Sequence, residues 1–141
     1  MAATGEREGH CLCGAIRYAV KGEPIWVAHC HCESCRRANS AAFATFAGFK
    51  RENFRLLAGE PRRHASSPGV SRSFCARCGS PLTYEGERWP DEIHIHVPSL
   101  EDPLSVTPRA HVYVAEQLAW VQLADGLARH AGTASPSKKK S

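Results

Sequence analysis

The sequence predicts a mainly β protein folded as a single domain, and three observations carry that expectation. Short alternating or β-favouring runs recur along the chain, Gly and Pro signals punctuate them, and 141 residues suffice for one ordinary domain with a real core. A hydrophobic share of 43% and a charged share of 23% suit a globular chain in water, and no apolar run approaches the length that crosses a bilayer.

The elements follow in order. Ile16, Tyr18 and Val20 form the first alternating face. Further strand candidates are Ile25 to Ala28, Phe43 to Phe49, Val70 to Phe74, Ile93 to Val97 and His111 to Val114. Short connections between them argue for small antiparallel sheets. After Cys32, "ESCRRANSAA" lacks Gly and Pro and predicts a short helix. The stretch "AEQLAWVQLADGL" is undecided between helix and coil, because Val121 and the Asp125-Gly126 turn signal interrupt it. One domain is expected over residues 9–130, after a flexible segment 1–8 and before a disordered basic tail, 131–141.

The opening "MAATGEREGH" is polar and holds acidic residues, unlike a secretory or organellar presequence, so the cytoplasm is the default location. The formal charge of +4 includes Lys138, Lys139 and Lys140 of the tail, and the remainder is close to neutral. Steering towards nucleic acid is not indicated. Small molecules are the expected partners, with neither nucleic acid nor membrane; oligomeric state is not encoded in any pattern found.

Seven cysteines are an odd count for a disulfide framework, and their clustering as CxC, CxCxxC and CxxC suits metal binding in a reducing compartment. Zinc prefers four tetrahedral Cys or His ligands, which closed structural sites usually take as two close pairs from two turns. Cys11/Cys13 and Cys75/Cys78 are such pairs, each beside a glycine, Gly14 or Gly79, that permits a tight backbone. They are expected to hold one structural zinc. Cys30, Cys32 and Cys35 remain. If "AHCHC" is extended, Cys30 and Cys32 share a face, a turn into the helix brings Cys35 round, and His29 and His31 point away.

Three protein ligands and an open fourth position distinguish a catalytic zinc from a structural one. The expectation is therefore two Zn²⁺ per chain, one closed and one open. Three thiolates leave the open ion with net negative charge, which suits a thiolate substrate better than plain hydrolysis. Two alternatives stand beside this. Cys32/Cys35 with Cys75/Cys78 would make a CxxC…CxxC site but strand Cys11, Cys13 and Cys30. A shell completed by His29, His31 or a partner's ligand would make a zinc-stabilised binding module. Iron–sulfur spacings and the HxE…PCxxC pattern of zinc deaminases are absent.

Arg36 and Arg37, just past the last thiol, are candidates to offset the negative charge or to grip a substrate carboxylate, with plain surface exposure as the alternative. His94 and His96 in "IHIHV" share one face and read as a solvated edge. Trp26, Trp89 and Trp120 read as core or rim packing.

These motifs together resemble the glutathione-dependent formaldehyde-activating enzyme family, also called the CENP-V/GFA domain family. The resemblance rests on Gly9-His10-Cys11-Leu12-Cys13-Gly14, on Cys30-His31-Cys32-Glu33-Ser34-Cys35-Arg36-Arg37 with Phe43, and on Phe74-Cys75-Ala76-Arg77-Cys78-Gly79-Ser80-Pro81-Leu82. Ser99-Leu100-Glu101-Asp102-Pro103 and then His111, Tyr113, Trp120 and Asp125-Gly126-Leu127 extend it. It implies an Mss4-like, β-tent fold, with a structural zinc on Cys11, Cys13, Cys75 and Cys78 and a catalytic zinc on Cys30, Cys32 and Cys35. It also implies carbon–sulfur lyase chemistry that joins glutathione and formaldehyde, with a zinc-dependent enzyme acting on another small electrophile or thiol adduct as the alternative. Ser40, Pro98 and Ala128 depart from that pattern, where glycine, glycine and proline are common.

Overall fold

Eleven strands and one α-helix make up residues 5–134, the span described by the computed structural model. In chain order they are β1 (Glu6–His10), β2 (Arg17–Lys21), β3 (Trp26–Cys30), α1 (Glu33–Asn39), β4 (Ala44–Lys50), β5 (Phe54–Ala58), β6 (Arg62–Ser67), β7 (Val70–Phe74), β8 (Pro81–Gly86), β9 (Glu92–His96), β10 (Ala110–Val112) and β11 (Ala128–Arg129). One sheet runs β1-β2-β5; the other runs β11-β10-β3-β4-β9-β8-β7-β6. The mainly β class read from the sequence is the class observed.

Pairing is antiparallel except at one end of the large sheet, where β10 lies parallel to both β3 and β11. The sheets are thus mainly antiparallel, as expected, with this one parallel end. A parallel neighbour needs a long return of the chain, and residues 97–109, with 3-10 turns at Val97–Ser99 and Pro103–Ser105, supply it before β10.

The alternation of side chains divides the large sheet into two functional faces. On one, Val27, Ala47, Phe49, Leu82, Ile93 and Ile95 pack against Tyr18 and Val20 of the small sheet and Ile16 just before it to form the main core. Each Val, Leu, Ile or Phe among them, fully buried, contributes roughly 1.5–3 kcal/mol. Phe49→Ala would cost about 3–5 kcal/mol by opening a cavity there. On the other face, Phe46 and Ala44 join Cys30 and Cys35, with Trp26, Tyr84, Val112 and Tyr113 packed around them.

That second face is ordered as a row. The pairing register sets Trp26 opposite Gly48, Gly48 opposite His94, His94 opposite Tyr84 and Tyr84 opposite Arg72, across five strands. Gly48 is required there, because any Cβ would collide with the Trp26 indole lying on it. His94 and His96 are buried, at 5% and 8% exposure, which corrects the solvated-edge reading. β9 is an interior strand, and aromatic rings of Trp26, Phe46 and Tyr84 cover its histidine face.

The predicted helix forms as the seven residues Glu33–Asn39. Cys32 caps it, its sulfur accepting from the Cys35 N–H, and Ser40 ends it with a φ of 50°. That left-handed conformation favours glycine, which is why Ser40 stands out from the pattern the sequence resembles. The undecided stretch near Trp120 is irregular apart from a 3-10 turn at Val114–Glu116.

Ordered pairing extends past both ends of residues 9–130. β1 starts at Glu6, within the segment expected to be flexible, because residues 6–10 pair along β2 and Arg55 holds the Glu6 carboxylate. At the other end, the Tyr113 N–H donates to the Gly132 carbonyl at 2.9 Å, so hydrogen-bonded structure passes residue 131. Residues 135–141, the rest of the expected tail, lie outside the described span. Among the described residues, no helix is long and apolar enough to cross a membrane.

Candidate functional site

The seven cysteines are all free and fall into two sets whose sulfurs lie within 4.8 Å of one another, Cys11 with Cys13, Cys75 and Cys78, and Cys30 with Cys32 and Cys35. The first set joins the turn after β1 to the turn between β7 and β8. Gly14 and Gly79, each with φ 81°, let these turns fold tightly. Backbone N–H groups then converge on sulfur: Ile16 on Cys11 at 3.3 Å, and Arg77 and Cys78 on Cys75 at 3.3 and 3.4 Å.

Amide donors collected in this way favour the thiolate form. For Cys78, hydrogen bonds from the Ser80 hydroxyl and Ser80 backbone bring the pKa down to about 5. Sulfur separations of 3.7 Å for Cys11–Cys13 and 3.8 Å for Cys13–Cys75 offer a test of fit. Four sulfurs about 2.3 Å from one tetrahedral zinc lie about 3.8 Å apart. The set therefore has the donor type, number and spacing that zinc takes.

In the second set, the extended end of β3 supplies Cys30, the helix cap supplies Cys32, and the first turn of α1 supplies Cys35. Hydrogen bonds from Cys30 and Cys35 hold the Cys32 thiol down at about 2. Cys30 is pushed up by the same sulfur contacts and by burial. The contact with Cys30 lowers Cys35, but the charge-bearing Cys32 and burial outweigh it and leave Cys35 at about 11. Arg72 stands beside this set, its Nη1 and Nη2 donating to the Cys35 sulfur at 3.8 and 3.9 Å.

All three of these cysteines line a cleft of about 550 Å³, together with Trp26, Phe46, Tyr84, Trp89, His94 and Tyr113. Arg72, Arg88 and Arg109 line it as well. The Arg72 guanidinium lies 5.0 Å from the Tyr84 ring centre, and that of Arg88 lies 5.1 Å from Trp89. A broader depression on the far edge of the sheet, lined by Arg51, Arg63 and Glu85, holds no thiol, and its charges pair internally.

Arg36 and Arg37 sit elsewhere. Arg36 donates to the carbonyls of His31 and Glu116, and exposed Arg37 pairs with Glu33 one helical turn earlier. Neither is among the residues lining the cleft. Arg72 and Tyr84 escaped the sequence reading, although alternation in "SRSF" and "LTYEG" was the available signal, and His94 was placed on the right face but read as a solvated edge.

His29 and His31 point away from the thiols and enter a separate buried network. His29 Nδ1 meets the Thr45 hydroxyl at 2.8 Å, while His31 Nε2 meets His111 Nδ1 at 2.9 Å. His111 Nε2 in turn donates to Asp125 at 2.8 Å, and the Leu127 N–H fixes the other oxygen of that carboxylate. Burial and the neighbouring His111 push His31 down to about 4, so the network holds a neutral imidazole. It ties the thiol-bearing end of β3 to β10 and the Asp125 turn.

The profile of the family described as glutathione-dependent formaldehyde-activating enzyme matches residues 6–116. A protein of Halomonas elongata that bears this family's name is 30% identical over 129 residues, covering 82% of this chain and 80% of its own. A Schizosaccharomyces pombe protein named as an uncharacterized lyase is 35% identical over 83 residues, covering 56% of this chain and 57% of its own. The fold is similar to the crystal structure of a Rhodobacter sphaeroides protein, with TM-score 0.58 at 21% identity, covering 87% of this chain and 98% of that one.

Proposed function

Since the chain belongs to the glutathione-dependent formaldehyde-activating enzyme family, we propose that it is a zinc-dependent carbon–sulfur lyase that joins a glutathione-type thiol reversibly to a small aldehyde. The family's named case makes S-hydroxymethylglutathione from formaldehyde. The observation that carries the reading is the unequal placing of the thiols: three sulfurs open onto a cleft of about 550 Å³, and four others satisfy one another. Volumes of this order suit a small-molecule site.

In this reading Cys11, Cys13, Cys75 and Cys78 hold a structural zinc, and Cys30, Cys32 and Cys35 hold the second. Zinc bound there supplies positive charge that lowers the pKa of a thiol joining the three cysteines. The chain's own residues do the rest. Arg72 offsets the thiolate charge, and Arg88 and Arg109 receive the carboxylates of the thiol substrate, the role first considered for Arg36 and Arg37. The cleft walls hold sulfur and carbonyl carbon together, which supplies an orientation advantage. As the carbon–sulfur bond forms, the thiol gives up its proton to water, the carbonyl π pair moves to oxygen, and that oxygen takes a proton back from water; the reverse step regenerates thiol and aldehyde.

Seven free cysteines suit a reducing compartment such as the cytoplasm. The test is exchange NMR of S-hydroxymethylglutathione formation with the zinc-loaded chain. Cys32→Ser should return the exchange rate to the uncatalysed background, and equal rates for the two proteins would remove the lyase reading.

A further inference from the structure

Formaldehyde brings one carbon and almost no apolar surface to its site. The cleft is built for more. Trp26, Tyr84, Trp89 and Tyr113 are all part-exposed and all line it, with Ile25, Val70 and Val112 between them. Tyr84 and Tyr113 pack against the buried cluster of Cys30, Cys35, Ala44 and Phe46, so the aromatic wall adjoins the cluster that holds two of the thiols.

The wall is also held in place. The Trp26 N–H donates to Glu92 at 3.1 Å, and Glu92 meets His94 Nε2 at 2.9 Å. The His94 ring stacks on Tyr84 at 5.4 Å and sits edge-on to Trp26 at 4.6 Å. These contacts fix large rings that remain part-exposed, and covering such surface is the main driving force available in an apolar site. Thiols add to formaldehyde readily without help, so a catalyst gains more on a bulkier, less reactive carbonyl.

We propose that the electrophile used by this cleft carries a hydrophobic group, aryl or branched alkyl, which the Trp26–Tyr84–Trp89 wall covers while sulfur is held at the three cysteines. This rests on the thiol–aldehyde reading and narrows its substrate. The thiol adds across the aldehyde C=O to give a hemithioacetal: one carbon–sulfur bond forms, the π pair goes to oxygen, and the thiol's proton is accounted for on that oxygen. No oxidant or reductant is consumed.

The test uses the zinc-loaded full chain and two ligand pairs in titration calorimetry, S-methylglutathione against S-benzylglutathione and ethanethiol against benzyl mercaptan. The benzyl member should bind about tenfold tighter or more in both pairs, as expected for covering half a ring. Trp89→Ala should narrow that ratio to about threefold or less, and Trp89→Phe should restore most of it. Equal binding within both pairs overturns the inference. A benzyl preference seen only in the simple thiols upholds the wall but removes glutathione as the thiol. In exchange NMR, kcat/KM for phenylacetaldehyde should exceed that for formaldehyde with the same thiol, and the opposite order overturns the inference.

Discussion

The two cysteine sets use one residue type for opposite ends. Cys13 and Cys75 are 62 residues apart, so whatever joins their set closes a long loop and binds the small sheet's first turn to the large sheet's far hairpin. Cys30, Cys32 and Cys35 are neighbours in sequence, and joining them closes almost nothing. Cross-links stabilise in proportion to the chain freedom they remove. The distant set has a structural reason to exist. The local one has little, yet it occupies cleft surface and draws the charge of Arg72.

Predictions that strain this contrast begin with Cys75→Ser. It should remove one zinc per chain and cost on the order of 5 kcal/mol, seen as a fall in Tm of roughly 10–20 °C. Cys32→Ser should also remove one zinc, measured by metal analysis, and abolish catalysed exchange while lowering Tm by no more than about 3 °C. If the two variants lost similar stability, the division of labour between the sets would fail.

Acid separates the two faces of the large sheet. Burial, with Arg72 nearby, depresses His96 to about 4. A histidine depressed in the folded state contributes full stability above its unfolded pKa, and that contribution is lost as pH falls through the window from about 6.5 to 4. Roughly 3 kcal/mol should disappear there by urea titration, and His96→Phe should flatten this part of the profile. Ile93 and Ile95, facing the other way on β9, offer no group to titrate.

Smaller effects sharpen the cleft's own anatomy. Arg72→Met should weaken zinc at the three-cysteine set by about tenfold in a competitive chelator titration, leaving the four-cysteine set unchanged. Arg37→Ala should shift stability by less than about 0.5 kcal/mol and leave exchange rates alone, because it removes only an exposed pair with Glu33.

What was legible in the sequence was local. Thiol spacing sorted the cysteines because each pair sits on a single turn. The helix was legible because "ESCRRANSAA", after Cys32, holds no Gly or Pro to break it. Alternation showed that His94 and His96 share a face, but not that β4 and β8 would flank them. Arg72, Tyr84 and Trp26 meet only through strand order, which no window of sequence contains. Strand β6, "RRHASS", is exposed along its whole length and had no hydrophobic pattern to reveal it. The parallel pairing of β10 with β3 depends on how residues 97–109 travel, a matter of packing rather than propensity.

The Trp26–Gly48–His94–Tyr84–Arg72 row makes the chemistry hostage to alignment. Sliding any one of its strands by a single residue would turn that strand's contribution inside out, trading a ring or guanidinium for an aliphatic meant for the interior. New specificities are therefore accessible through point replacements along the row or through the surrounding loops. An odd-numbered insertion within those strands would dismantle wall and interior together.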